Sequence, residues 1–307
     1  MAMMLYIDDN LINTVPDSCI YTDYAGGQSD SLQITITDDD MEVRGLEPKK
    51  GMEIRALSSN IDSGTMYLSG IGYKGNRITL RGLSLPARCY ATKNYYWDNV
   101  GFYELVRDIA EETGLGIRFL NGLDVTYRDV TRIELAPVQL LQKRLELEGY
   151  AVKLHDGTLI IYDERIRENR EHETVYYSRD FKSALSCETK DNGLIGSVEN
   201  SYKTPVGLLI NTVVYSGLEG MILRENIAVS DIDESERFSK GIMRKSNKYE
   251  YVCEGTIEGI KHSAGQTLYL ADAPYGHDGI NYIYKVIHDF VKDEQRLFMR
   301  RPITGGY

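Results

Sequence analysis

The chain lacks two of the short motifs that mark common catalytic chemistry: neither G-x-S-x-G nor the Walker A loop occurs. The five histidines, His155, His172, His262, His277 and His288, never fall at HExxH or another ligand spacing. His277 and His288 flank a predicted strand and, with Asp278, form the nearest approach to a metal set. A loop histidine and a strand-surface histidine account for them more simply. Asp108, Glu111 and Glu112 gather on a predicted helix, but on its polar side, whereas a general acid needs a carboxyl withdrawn from water. Asp38-Asp39-Asp40 lacks the glycine and glutamate of an EF-hand loop and reads as a solvated turn. The mixed charges of GIMRKSNKYE read as a helix surface and not as a phosphate site. No catalytic, cofactor-binding or metal-binding residue is therefore expected.

Other classes are excluded by composition. The net charge of −11 lacks the basic face of a nucleic-acid binder. No run of about 18 apolar residues occurs, so no membrane segment is expected. The opening MAMMLYIDDN has neither the basic region nor the apolar core of an export signal, and synthesis in a cytoplasm is expected. Cys19, Cys89, Cys187 and Cys253 are far apart with no CxxC pair, and all four are expected to be reduced. At 307 residues, 42% hydrophobic and 26% charged, the chain reads as a soluble globular protein of two or three domains. Its 23 tyrosines against 6 phenylalanines and 1 tryptophan suit strands and half-wet assembly contacts.

The clearest local pattern runs from Trp97 to Asp163. Phe102, Leu105, Val106, Ile109 and Ala110 recur at helical spacing, Asp98 or Asn99 can cap the start, and Gly114 stands at the stop. After a short strand and a connector, a second helix opens on Pro137, continues through Leu140, Leu141 and Leu145, and stops at Gly149. Two short strands then flank Asp156-Gly157, the signal for a two-residue hairpin. The result is a small α+β module whose core is expected to be mostly internal.

The rest alternates with period two. Leu32, Ile34 and Ile36 face one way and Gln33, Thr35 and Thr37 the other. GMEIRAL, TMYLSGIGY and NRITLRG are three further strands. Glu164 to Tyr177 is charged and reads as an exposed connector. Ala184–Thr189 and Ser197–Tyr202 read as a strand pair around DNGLIG, followed by a strand over 208–215. Ser235 is a candidate cap for a helix near 235–246 with Phe238, Ile242 and Met243 on one side. Four more strands close the chain. The order of glycine-led strand from Gly51, long strand and final strand ending in arginine recurs from Gly265, an internal echo.

The succession of W-D, helix ending ETGL, helix ending EGY and DG hairpin resembles the insert of the phage late control protein D family. Tyr21-Thr22-Asp23, Gly27, Ser29-Asp30, Leu32 and Gly51-Met52-Glu53-Ile54 resemble that family's early segment, with Met52 where an acidic residue is more usual. The resemblance spans roughly residues 20–300. It implies a mainly β, α+β chain: a first tube-protein-like β-barrel over 1–90, an inserted helix–helix–hairpin module over 91–165 and a second tube-like barrel over 166–307. It further implies a baseplate hub of a contractile phage tail, an R-type bacteriocin or a type VI spike. As a homotrimer, such a hub would join the hexameric tail tube protein to the central spike protein, beside baseplate wedge and tape measure proteins. A tail-associated peptidoglycan hydrolase or a carbohydrate-binding tail module is the alternative. The chain ends soon after its last strand, which leads us to expect no fused lytic domain.

Overall fold

The computed structural model describes residues 3–172, 174–190 and 193–303. Apart from short 3-10 turns at Arg44–Leu46 and Ala87–Tyr90, the regular structure of the first segment is strand: β1 (Met4–Ile7), β2 (Asn10–Ile12), β3 (Ser18–Tyr24), β4 (Ser31–Thr37), β5 (Glu53–Leu57), β6 (Met66–Lys74) and β7 (Arg77–Leu83). The alternation expected of β4 is present, with Leu32, Ile34 and Ile36 buried against Leu5, Ile54 and Leu80. Each such side chain contributes about 1.5–3 kcal/mol when fully withdrawn from water. The acidic turn after β4 is solvated at Asp39 and Asp40 only. Asp38 is buried, because its carboxylate accepts the backbone N–H groups of Val43 at 3.0 Å and Arg44 at 2.9 Å.

The second segment holds β8 (Lys93–Gly101), α1 (Phe102–Thr113), β9 (Gly116–Phe119), β10 (Thr126–Leu135), α2 (Pro137–Leu147), β11 (Tyr150–His155), β12 (Thr158–Asp163) and α3 (Glu164–Glu168). Both expected helices and the Asp156-Gly157 hairpin are present, the two turn residues at φ 47° and 65° as a type I′ turn requires. Asp98 and Asn99 do not cap α1. They lie in β8, which pairs with β10, and the residue before the helix is Gly101. The expected connector is thus largely β10. The charged run after β12 is not wholly exposed: Asp163 caps α3, and Glu164 and Glu168 are buried. The module's core also extends beyond the module, since Ile210, Val229 and Phe238 pack into it beside Ile109, Leu141 and Ile161.

The third segment contains β13 (Val175–Tyr177), β14 (Ser186–Thr189), β15 (Ile195–Lys203), β16 (Leu209–Tyr215), β17 (Met221–Glu225), α4 (Ile232–Asn247), β18 (Tyr251–Glu258), β19 (Thr267–Ala271), β20 (Gly279–Asp289) and β21 (Glu294–Arg300). Two expectations are corrected here. The strands β14 and β15 do not pair with each other: β14 pairs with β18, while β15 lies between β16 and β17. Asp191 and Asn192 of the expected turn lie outside the described residues. The cap of α4 is Asp231, and Ser235 sits buried one turn inside, bonded to Asn200 and Thr212.

A 13-stranded sheet crosses the first and third segments in the order β14-β18-β21-β20-β3-β4-β7-β6-β5-β1-β2, with β19 and β13 attached beside β20. The internal echo is visible in its hydrogen bonds. Gly51 donates its N–H to Leu68, whose own N–H goes to Met52; Gly265 donates to Ile283, whose N–H goes to Gln266. Both glycines need positive φ, 91° and 92°. The long strands β6 and β20 each carry a bulge at the next step, between Leu68 and Gly70 and between Ile283 and Lys285. The same five-strand order follows in both places, β3-β4-β7-β6-β5 and β14-β18-β21-β20-β19.

The register of β14 against β18 sets Cys187 directly opposite Cys253, and the two form a disulfide. The expectation of four reduced cysteines is therefore corrected, the cause being a strand pairing across 66 residues of sequence. Cys19 and Cys89 are free and buried, and burial pushes the Cys19 thiol up to about 12.

Candidate assembly surface

The side chains with chemical potential are occupied by structural partners. Arg132, buried in the β8–β10 layer, donates to both carboxylate oxygens of Glu112 at 3.0 and 2.9 Å, and this pairing holds Glu112 below the usual carboxylate range. Asp108 accepts the Trp97 indole N–H at 2.9 Å, and Glu111 is exposed. His277 lies just before β20 and His288 near its far end, so most of the strand's length separates them. His288 stacks on Tyr21 and meets Gln295, while His277 lies beside Cys253. His262 meets the Tyr176 hydroxyl at 2.8 Å, His155 lies 3.9 Å from Asp30, and His172 packs on the Tyr269 ring.

The early acidic positions Asp23 and Asp30 are joints. Asp23 accepts the Lys153 ammonium from the hairpin and the Ala264 N–H from the third segment. Asp30 accepts the Tyr21 hydroxyl and the Tyr24 N–H, and burial raises its pKa. Tyr162 adds a bond to the Ala25 carbonyl and lies 3.1 Å from the Tyr282 hydroxyl. A second joint was not legible in the sequence. Glu168, fully buried on α3, pairs with Arg244 of α4 and Arg300 of β21, while Glu164 meets Arg300 and Lys248, each at 3.1 Å. Burial pushes the Glu164 carboxyl up, but these cations outweigh it and hold it well below the usual carboxylate range. The signal was present only as a charge run, which reads equally well as surface.

Two kinds of surface are left for other molecules. The first is backbone. Among the described residues, β14 has no partner beyond β18, and β6 from Ser69 to Lys74 has none opposite β7. Tyr73, on that free edge, is 60% exposed. The second is the outer face of the β16-β15-β17 sheet, whose inner face packs on α4. Leu209, Val213 and Tyr215 alternate outward along β16 and Ile222 joins them from β17, with Val206 and Leu208 exposed at the hairpin tip. Apolar exposure gathered on one face marks contact sites more often than scattered single residues do. No helix among the described residues is long and apolar enough to cross a membrane.

No protein-family model matches the chain, and no curated protein matches it. Solved structures do. The 43 kDa tail protein of prophage MuSo2 from Shewanella oneidensis superposes with a TM-score of 0.75 at 14% identity, covering 98% of each chain. A tail protein from Neisseria meningitidis MC58 superposes equally well, at 12% identity over 98% of this chain and 96% of that one. An E. coli component of the type VI secretion system, described as structurally similar to the T4 bacteriophage tail proteins gp27 and gp5, gives a TM-score of 0.62 at 12% identity, over 99% of this chain and 78% of that one. The chain thus has a mainly β, α+β fold shared with prophage tail proteins and a type VI secretion component.

Proposed function

We propose that the chain is a structural, non-enzymatic baseplate hub of a contractile phage tail or tail-like particle, assembled in the host cytoplasm. Its homotrimer joins the hexameric tail tube to the central spike, beside wedge and tape measure proteins. Residues 1–90 and 166–307 are its two tube-like units and 91–165 the inserted module.

The observation that carries this reading is the internal repeat with its unequal edges. Inside the chain, the second half of β20 takes β3 of the other unit, with His288 opposite Tyr21. The equivalent edges, β6 from Ser69 to Lys74 and the outer side of β14, have no partner among the described residues. Aligning the two units on their bulges sets Tyr73 in the place of His288 and Cys187 in the place of Tyr21. Strand β14 of one copy then adds to β6 of the next, Cys187 opposite Tyr73 and Ser186 opposite Lys74. Such a contact is head-to-tail, and it closes when the rotation returns to the start. Three copies place six similar units in a ring, the symmetry needed to end a six-fold tube.

The test is a Lys74→Cys, Ser186→Cys double variant. Mild oxidation is expected to give a 74–186 cross-link between chains, identified by peptide mass, in a particle whose solution mass is three chains. A protein that stays monomeric at high concentration, alone and with its spike, and forms no such cross-link, would sink the hub reading.

A further inference from the structure

Cys187, Cys253 and His277 come from three separate places: β14, β18 and the loop before β20. Their sulfur and nitrogen atoms all lie within 4.8 Å of one another. His277 is buried, with Nδ1 3.2 Å from Cys253 Sγ and Nε2 3.4 Å from Thr189 Oγ1. The ring packs edge-on against Tyr251. Its loop is fixed by the His277 N–H bond to Pro274 and by Asn281, whose amide donates to the His277 carbonyl. The imidazole is thus aimed at the sulfur pair, and its far nitrogen already faces a hydroxyl.

We propose that reduction of the Cys187–Cys253 bond opens a site for zinc or a similar thiophilic divalent ion. The Cys187 and Cys253 thiolates and His277 Nδ1 are its three protein ligands, and water is the fourth. The step needs a dithiol reductant, which supplies two electrons and two protons. The S–S bond breaks, two S–H bonds form, and the reductant leaves as its own disulfide. Metal binding then displaces one proton from each thiol. Two thiolates balance the divalent ion, so the half-buried site carries no net charge beside Arg301, whose guanidinium stacks on Tyr251.

The geometry suits this chemistry. A tetrahedral ion with bonds of about 2.3 Å to sulfur and 2.0–2.1 Å to nitrogen holds its donor atoms roughly 3.5–3.8 Å apart. The Cys253–His277 separation already approaches that spacing. The sulfurs must part by about 1.7 Å, which β14 can allow in the free chain, before a second copy covers its outer edge, since among the described residues that edge has no partner. Two soft sulfurs and an imidazole favour zinc or cobalt over magnesium or calcium. Thr189 Oγ1 can accept from the Nε2–H, fixing the tautomer that leaves Nδ1 free to ligate.

The experiment uses the full chain, reduced by a dithiol that is then removed without air, and titrated with cobalt(II). A thiolate-to-cobalt charge-transfer band saturating at one ion per chain, and competed away by zinc, is expected. The oxidised protein and Cys253→Ser should lack the band. His277→Asn and Thr189→Val should each weaken binding, the latter about 10–100-fold, as for other residues that orient a ligand. Because Cys253→Ser could fail to fold, the wild type gives a second readout. Zinc should slow alkylation of Cys187 and Cys253 at least about tenfold, since the metal occupies the reactive thiolates. The proposal is overturned if reduced wild type shows no band and no protection, or if a folded Cys253→Ser variant keeps the band.

Discussion

At the scale of single residues, the joints between segments are buried charges, and removing one partner leaves the others under-compensated. Glu168 is the only carboxylate of the α3 pair that reaches both Arg244 and Arg300 with the same oxygen. Replacing Glu168 by Ala should destabilise the protein by about 3–5 kcal/mol, because two guanidinium groups lose their shared buried partner. Urea unfolding of the variant checks this, and a loss under about 1 kcal/mol would mean that water reaches the joint. His288 predicts a pH effect. Burial lowers its pKa from 6.5 to about 4. The unfolded chain then binds the proton first, so the contribution is present above pH 6.5 and is lost as pH falls toward 4. The size is on the order of 3 kcal/mol. His288→Phe keeps the ring stacked on Tyr21 and should flatten the stability profile across that window.

At the scale of elements, the helices and the hairpin of the module were legible because their signals are local. Apolar spacing, a proline at a first turn and a DG turn act within a few residues. The caps at Asp98, Asn99 and Ser235 were misassigned because neighbouring strands extend into, or pack over, those positions. Ile109 tests the module itself. It is fully buried at the centre of a core that also holds Phe238 of α4. Ile109→Asp should cost several kcal/mol, leaving a charge without a partner. Protease cleavage should rise between about 97 and 163, and α4 should loosen with it. The long sheet should persist, since its ladder does not pass through α1. Loss of all β signal in circular dichroism would show that the module and the sheet fold as one unit. Unchanged stability and protease resistance would contradict the burial of this helix face.

At the scale of the whole molecule, of the carboxylates most like a hydrolase pair, Glu112 is tied to Arg132 and Lys93 and Asp108 to Trp97, while Glu111 faces water. Purified protein should therefore not clear peptidoglycan suspensions at acid or neutral pH. Reproducible clearing that disappears in Glu111→Gln or Glu112→Gln would restore the hydrolase reading. The exposed β16 face and the two free edges instead direct attention to assembly, where affinity comes from ladder hydrogen bonds and alternate side chains fix the register.

The sequence alone determined the class of the fold, the helices α1, α2 and α4 but not α3, the hairpin, most strands and the echo between Gly51 and Gly265. Period-two and period-3.6 burial, and the positive φ that glycine permits, are properties of short stretches. Only the tertiary structure decided which strands meet. It carried Cys187 to Cys253 and both to His277, set Glu168 between two distant arginines, and left, among the described residues, one edge of β14 and one edge of β6 without a partner. Those outcomes depend on register between segments tens to hundreds of residues apart, where a charged or thiol side chain looks the same in sequence whether water or a buried partner awaits it.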